Sequence, residues 1–104
     1  MCNALDLLSL DRKKYTMAMA DNLSMLRAKL GMNQDELAGI IGVTRQTISA
    51  IENKSRELTW TNFLSLMFLF TQNEKTRDLM PVLGIYTQEL SQFFSFTDLK
   101  GLQQ

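Results

Sequence analysis

Histidine is absent from the chain, and cysteine and proline occur once each. The missing imidazole removes the commonest general base. One cysteine, Cys2, closes neither a zinc site nor an intramolecular disulfide. No pairing of nucleophile and base can be assembled from what remains, so the composition excludes a conventional enzyme and calls for no cofactor or metal. A lone thiol also fits a reducing compartment, which places the protein in the cytoplasm. A single proline and five glycines leave room for uninterrupted helices, and no stretch alternates in the period of two that marks a half-buried strand. The fold class is therefore all-α. Net charge is lacking too: eleven basic side chains are balanced by eleven acidic ones, which excludes attachment to nucleic acid by bulk charge alone. At the start, MCNALDLLSLDRKK has its basic cluster after a short, interrupted apolar stretch, the reverse of a signal peptide and too short for a membrane span. Asn3 is positioned to cap a short helix carrying Leu5, Leu8 and Leu10, the alternative being a frayed arm.

The charges that are present are unevenly placed. Residues 12–56 have a net charge of +4, whereas residues 1–11 and 57–104 are each −2. A basic middle between acidic flanks fits a DNA-facing region held by an assembly region. At 104 residues the chain has room for one core, with or without an added dimerisation element, but not for a second independent fold.

Helical spacing of Leu23, Leu26 and Leu30, stopped by Gly31, predicts a first helix from near Thr16 to Leu30. Asn33 and Glu36 have the spacing of a capping box and open a second, two-turn helix through Leu37, Ala38 and Ile41. Gly42 ends it, and Thr44 caps a third helix holding Ile48 and Ile51 and ending near Asn53. Thr59 caps a fourth through WTNFLSLMFLF, with one stripe of Trp60, Phe63, Leu64 and Met67 and another of Leu66, Leu69 and Phe70. Asn73 is expected to cap a fifth helix, interrupted or kinked at Pro81, and Thr87 a sixth through Leu90, Phe93 and Phe94.

The segment from Gln34 to Asn53 carries the functional signal. Two short helices that cross steeply need a small residue where their backbones approach, met by Ala38, and a residue that accepts positive φ in the turn, met by Gly42. Leu37, Ile41, Val43, Ile48 and Ile51 fill the angle between them. At 100° per residue, Ile48 and Ile51 face inward while Gln46, Ser49, Ala50 and Asn53 face out, with Arg45 on the exposed first turn. Arg pairs in bidentate fashion with guanine O6/N7 and Gln with adenine N6/N7. Asn33, Gln34, Thr47, Asn53, Lys54 and Arg56 surround the helix ends, where contacts go to phosphates.

With these residues in place, the stretch from about Asn22 to Leu58 resembles the Cro/C1 (XRE) family of phage-type repressors. The resemblance implies a lambda-repressor-like five-helix bundle, here with an additional C-terminal helical element, that presents its third helix to the major groove of double-stranded DNA. It also implies that Thr44, Arg45, Gln46 and Ala50 are base-facing and that Asn33, Gln34 and Asn53 hold the DNA backbone. Ala50 departs from the polar pattern, offering only a methyl contact to thymine. Arg27 lies among the leucines of the first helix and Glu52 beside Ile48 and Ile51, so each needs the other as a partner. Members of the resembled family often have such an ion pair.

Eight of the nine aromatic residues follow residue 59, more apolar surface than a small bundle hides. A homodimer formed through Phe93, Phe94 and Phe96 would cover it. The implied organisation is an N-terminal arm or short helix over residues 1–14, a helix-turn-helix domain over 15–72 and a dimerising helical extension over 73–104. The cluster Arg12, Lys13, Lys14 reads as a solvated segment, the alternative being a DNA-touching arm. The functional expectation is a sequence-specific transcriptional regulator, a homodimeric repressor. The alternative is an antitoxin-like module that binds a partner protein through its aromatic C-terminal half.

Overall fold

The computed structural model describes residues 10–95, which form seven helical segments and no strand. The first, α1 (Arg12–Lys29), begins four residues earlier than the leucine spacing predicts, because Asp11 Oδ1 accepts the Lys14 backbone N–H and caps the helix there. Arg12, Lys13 and Lys14 consequently form its first turn instead of an arm. The inward face of α1 holds Tyr15, Met19, Leu23 and Leu26, all fully buried.

Two short helices follow, α2 (Gln34–Ile41) and α3 (Arg45–Glu52). Both halves of the capping box are present at the start of α2: Asn33 Oδ1 accepts the Glu36 N–H at 2.8 Å and Glu36 Oε1 accepts the Asn33 N–H at 2.9 Å. Gly42 closes α2 with φ of +82°, a conformation that costs an L-residue with a Cβ about 1–2 kcal/mol. Thr44 Oγ1 then accepts the Thr47 N–H and starts α3. Leu37 and Ala38 of α2 meet Ile48 and Ile51 of α3 in the core, with Ile41 and Val43 partly buried beside them.

The fourth helix, α4 (Trp60–Gln72), capped by Thr59, places Phe63, Leu66 and Phe70 against α1 and α2. Phe68 belongs to neither apolar stripe and is 66% exposed. Beyond it the expected fifth helix is divided into α5 (Glu74–Arg77) and α6 (Leu79–Val82), with the break at Asp78. A continuous helix would require Pro81 to donate an N–H to Arg77, which proline lacks. Asn73 does not cap α5 with its side chain; its amide donates back to the Leu69 carbonyl at 2.8 Å. Thr76 fastens this corner instead: it is fully buried and its hydroxyl donates to the Phe70 carbonyl at 2.6 Å.

The last helix, α7 (Gln88–Phe93), is capped by Thr87 and returns to the start of α1. There the Tyr15 hydroxyl donates to Glu89 Oε1 at 2.8 Å, and its oxygen lies 2.6 Å from Thr87 Oγ1. Lys14 Nζ adds a contact to the same carboxylate at 3.3 Å. Trp60 stacks on Phe63 and on Phe94, with centroids 4.9 and 6.4 Å apart, and the Arg12 guanidinium lies over both Trp60 and Phe93. Polar ties and aromatic contacts thus bring α7 back onto the bundle. The architecture is an all-α, lambda-repressor-like helix-turn-helix bundle. No helix among the described residues is long and apolar enough to cross a membrane.

Candidate nucleic-acid interface

The polar outer side of α3 follows from its register. Ile48 and Ile51 are held in the core, so Arg45, Gln46 and Asn53 are exposed and Thr47, Ser49 and Ala50 half-buried. Thr44 is exposed at the cap. Its hydroxyl accepts from Thr47 N–H at 3.2 Å and lies 3.0 Å from Thr47 Oγ1, so one of its lone pairs is committed to starting the helix. Among the described residues, the Gln46 and Ser49 side chains have no hydrogen-bond partner within the chain. Their full donor and acceptor capacity faces outward.

Arg45 is held in place from α2. Its Nη1 donates to Gln34 Oε1 at 3.4 Å, and Gln34 Nε2 donates to Glu52 Oε1 at 3.0 Å. Glu52 in turn accepts from Arg27 Nε at 2.8 Å and Nη2 at 3.1 Å, while Arg27 Nη1 donates to the Met32 carbonyl at 2.9 Å. The result is one chain of polar contacts from α1 through α3 and α2 to the exposed guanidinium. The Arg27 and Glu52 side chains are only 18% and 10% exposed. Burial pushes the Glu52 carboxyl up, but the hydrogen bonds from Arg27 and Gln34 and the guanidinium charge together hold it below the usual carboxylate range. The hydrogen bond to Glu52 likewise raises Arg27 above its already high value.

The residues read as phosphate contacts surround α3, and each has an internal partner. Asn33 caps α2, and Gln34 bridges Arg45 and Glu52. Thr47 Oγ1 accepts from Arg56 Nη1 at 3.0 Å, and Asn53 Oδ1 accepts the Ser55 N–H at 2.9 Å. Lys54 pairs with Asp21 of α1. Lys54 also has a φ of +68°, alone among the non-glycine residues described. This set is pre-arranged around α3, whereas Gln46 and Ser49 on α3 itself are left open. Sequence reasoning missed Gln34 as a bridge because its two partners lie 11 and 18 residues away and only the fold joins them.

Of the aromatic residues expected at a subunit contact, Phe93 and Phe94 pack edge-on against each other beside Trp60, and Phe94 remains 47% exposed. Phe96 lies outside the described residues. Among the described residues no His, Cys, Asp and Glu side chains gather in a group that could hold a metal ion.

Residues 23–66 match the helix-turn-helix family, a span that includes the C-terminal part of α1, all of α2 and α3 and the first half of α4. No curated protein and no solved structure matches the chain.

Proposed function

From a Cro/C1 (XRE)-type helix-turn-helix domain at residues 23–66, which is a DNA-binding regulatory domain and not a catalytic one, we propose that the protein is a sequence-specific transcriptional repressor. It acts as a homodimer and reads the major groove with α3. Arg45, Gln46 and Ser49 carry the base recognition, Thr44 contributes from the cap, and Ala50 supplies a methyl surface for thymine. Asn33, Gln34, Thr47, Asn53, Lys54 and Arg56 position the domain on the backbone. The observation that carries this reading is the division of α3: an inner face locked by Ile48 and Ile51, and an outer face on which Gln46 and Ser49 keep their hydrogen-bonding capacity unspent.

A homodimer would double the DNA contacts of such a chain. One copy has few cations to set against phosphates in a chain of zero net charge, whereas two copies of α3 about 34 Å apart address a palindrome one helical turn long. Residues 73–104 would supply the pairing element, with Phe94 exposed beside Phe93 and Trp60 at its described end. Selection from a random duplex library tests the proposal. A two-fold symmetric consensus should emerge, and Gln46→Ala should relax preference at one base pair per half-site. Equal recovery of all sequences would sink it, and a monodisperse monomer at high micromolar concentration would remove the dimer.

A further inference from the structure

Beside α3, between α1 and the segment that follows α3, lies a hollow of about 390 Å³. Three cations line it: Lys13 from the first turn of α1, and Lys54 and Arg56 from the segment after α3. Met17 and Leu58 supply apolar lining, and two acids, Asp21 and Glu57, complete it. The pairing of these groups is specific. Lys13 Nζ lies 3.6 Å from Glu57 Oε1, and Lys54 Nζ is in contact with Asp21 Oδ1. Arg56 reaches the other way, donating to Thr47 Oγ1 on α3, so the hollow is continuous with the flank of the reading helix.

Both ion pairs are exposed on both sides. Exposed pairs are weak and easily exchanged for another anion. A DNA phosphate is such an anion and is present at high local density along a duplex. Each carboxylate therefore occupies a lysine that could otherwise take a phosphate. The three cations and two acids present a net charge of only +1 to the backbone, against +3 for the cations alone.

We propose that Lys13 joins Lys54 and Arg56 in a second strip of DNA-backbone contacts beside α3, and that Asp21 and Glu57 are built-in competitors for the phosphates these cations bind. The inference rests on α3 being the DNA-reading helix. Its effect falls on the backbone contacts. Trading an ion pair for a phosphate gains less than binding a phosphate with a free cation, so backbone binding is held down on every duplex. Contacts from Arg45, Gln46 and Ser49, which have no acidic competitor in the hollow, are unaffected. The affinity of the chain is thereby set more by the base contacts of α3 than by its backbone cations.

The test is binding of the full chain to a selected site and to an unrelated duplex, followed by fluorescence anisotropy across a salt series. The double variant Asp21→Asn, Glu57→Gln should bind the unrelated duplex roughly 3- to 10-fold more tightly at low salt, with a salt slope steeper by about 1 to 2. Lys13→Ala should weaken both duplexes alike and reduce the slope by about 1. A variant with the same charge change elsewhere, Glu74→Gln with Asp78→Asn, controls for net charge. Glu74 lies near Leu30 at the opposite end of α1 from Lys13. An equal gain in that control, or no gain in the Asp21/Glu57 variant while wild type binds its selected site, overturns the proposal and leaves the reading helix standing. Failure of wild type to bind any duplex overturns both.

Discussion

Arg27 grips Glu52 through two nitrogens, Nε at 2.8 Å and Nη2 at 3.1 Å, and so joins α1 to α3. Because both side chains are largely withdrawn from water, removing one strands the other. Arg27→Met should cost about 3 kcal/mol, at the low end for a buried pair since a tenth to a fifth of each side chain remains accessible. Replacing both, as Arg27→Met with Glu52→Leu, should recover most of that loss. Urea denaturation of the two variants checks this, and near-normal stability of the single variant would show that the pair is not a structural tie.

Acid should loosen the same joint. Glu52 and Glu89 both titrate below the ordinary glutamate value of 4.5 in the folded protein, Glu52 despite its burial and Glu89 through hydrogen bonds from Tyr15 and Lys14. A depressed carboxyl stabilises the fold fully above its unfolded pKa and loses that contribution as pH falls through the folded value. Stability should therefore be level from about pH 6 to 5 and drop below about pH 4.5. Glu52→Gln should flatten part of that drop; an unchanged acid limb in the variant would assign the loss to other carboxylates.

Gln34 should affect recognition without being the residue that reads the base. Gln34→Ala leaves the Arg27–Glu52 pair in place but frees the Arg45 guanidinium from its tether. The expected result is about 1 kcal/mol lower stability and, with Arg45 reading a base as proposed, a relaxed preference at that base pair. In an Arg45→Ala background, Gln34→Ala should have no further effect on that preference. A loss of affinity on all sequences with no change in that preference would leave Gln34 with its proposed backbone contact alone and no role in holding Arg45.

Lys54 is held at φ of +68°, where glycine is at ease and a side chain is not. Lys54→Gly should raise Tm by about 4 °C, because roughly 0.5–1 kcal/mol of backbone strain is relieved and only an exposed ion pair is lost. Its DNA affinity should fall on every sequence alike. A lower Tm would mean that the pair with Asp21 outweighs the strain.

Phe94 distinguishes subunit pairing from internal packing. Phe94→Glu removes one ring from the Trp60 stack, which should cost about 1 kcal/mol in the isolated subunit. If Phe94 also meets a second copy, sedimentation should show a monomer at concentrations where wild type is paired. An unchanged sedimentation coefficient would move the subunit contact elsewhere on the surface.

Much of this was readable from the chain because it is local. The capping box at Asn33 and Glu36, the left-handed Gly42 and the Thr44 cap are each decided within four residues. The spacing from Gln34 to Asn53 follows from them. The start of α1 was not legible, because Tyr15 and Met19 sit in a stretch rich in methionine and alanine where leucine spacing gives no signal. Asn73 has the chemistry of a cap, yet the carbonyl of Leu69 takes its amide. The tie between Tyr15 and Glu89 spans 74 residues, and no local pattern predicts such a meeting. The exposure of Phe68 was not read from the sequence, although it falls in neither stripe of α4.

The caps at the starts of α2, α3, α4 and α7 are the neutral side chains of Asn33, Thr44, Thr59 and Thr87. A neutral amide or hydroxyl accepts its backbone N–H at any pH, so apart from the Glu36 half of the box these four helices do not depend on a proton at their origin. Of the carboxylates, Asp11 caps α1, while Glu52 and Glu89 lie at the joints, where Glu52 ties α3 to α1 and Glu89 ties α7 to α1. Mild acid should therefore separate the pieces before it melts them, leaving far-ultraviolet dichroism largely intact while the near-ultraviolet signal of Trp60 and Tyr15 is lost.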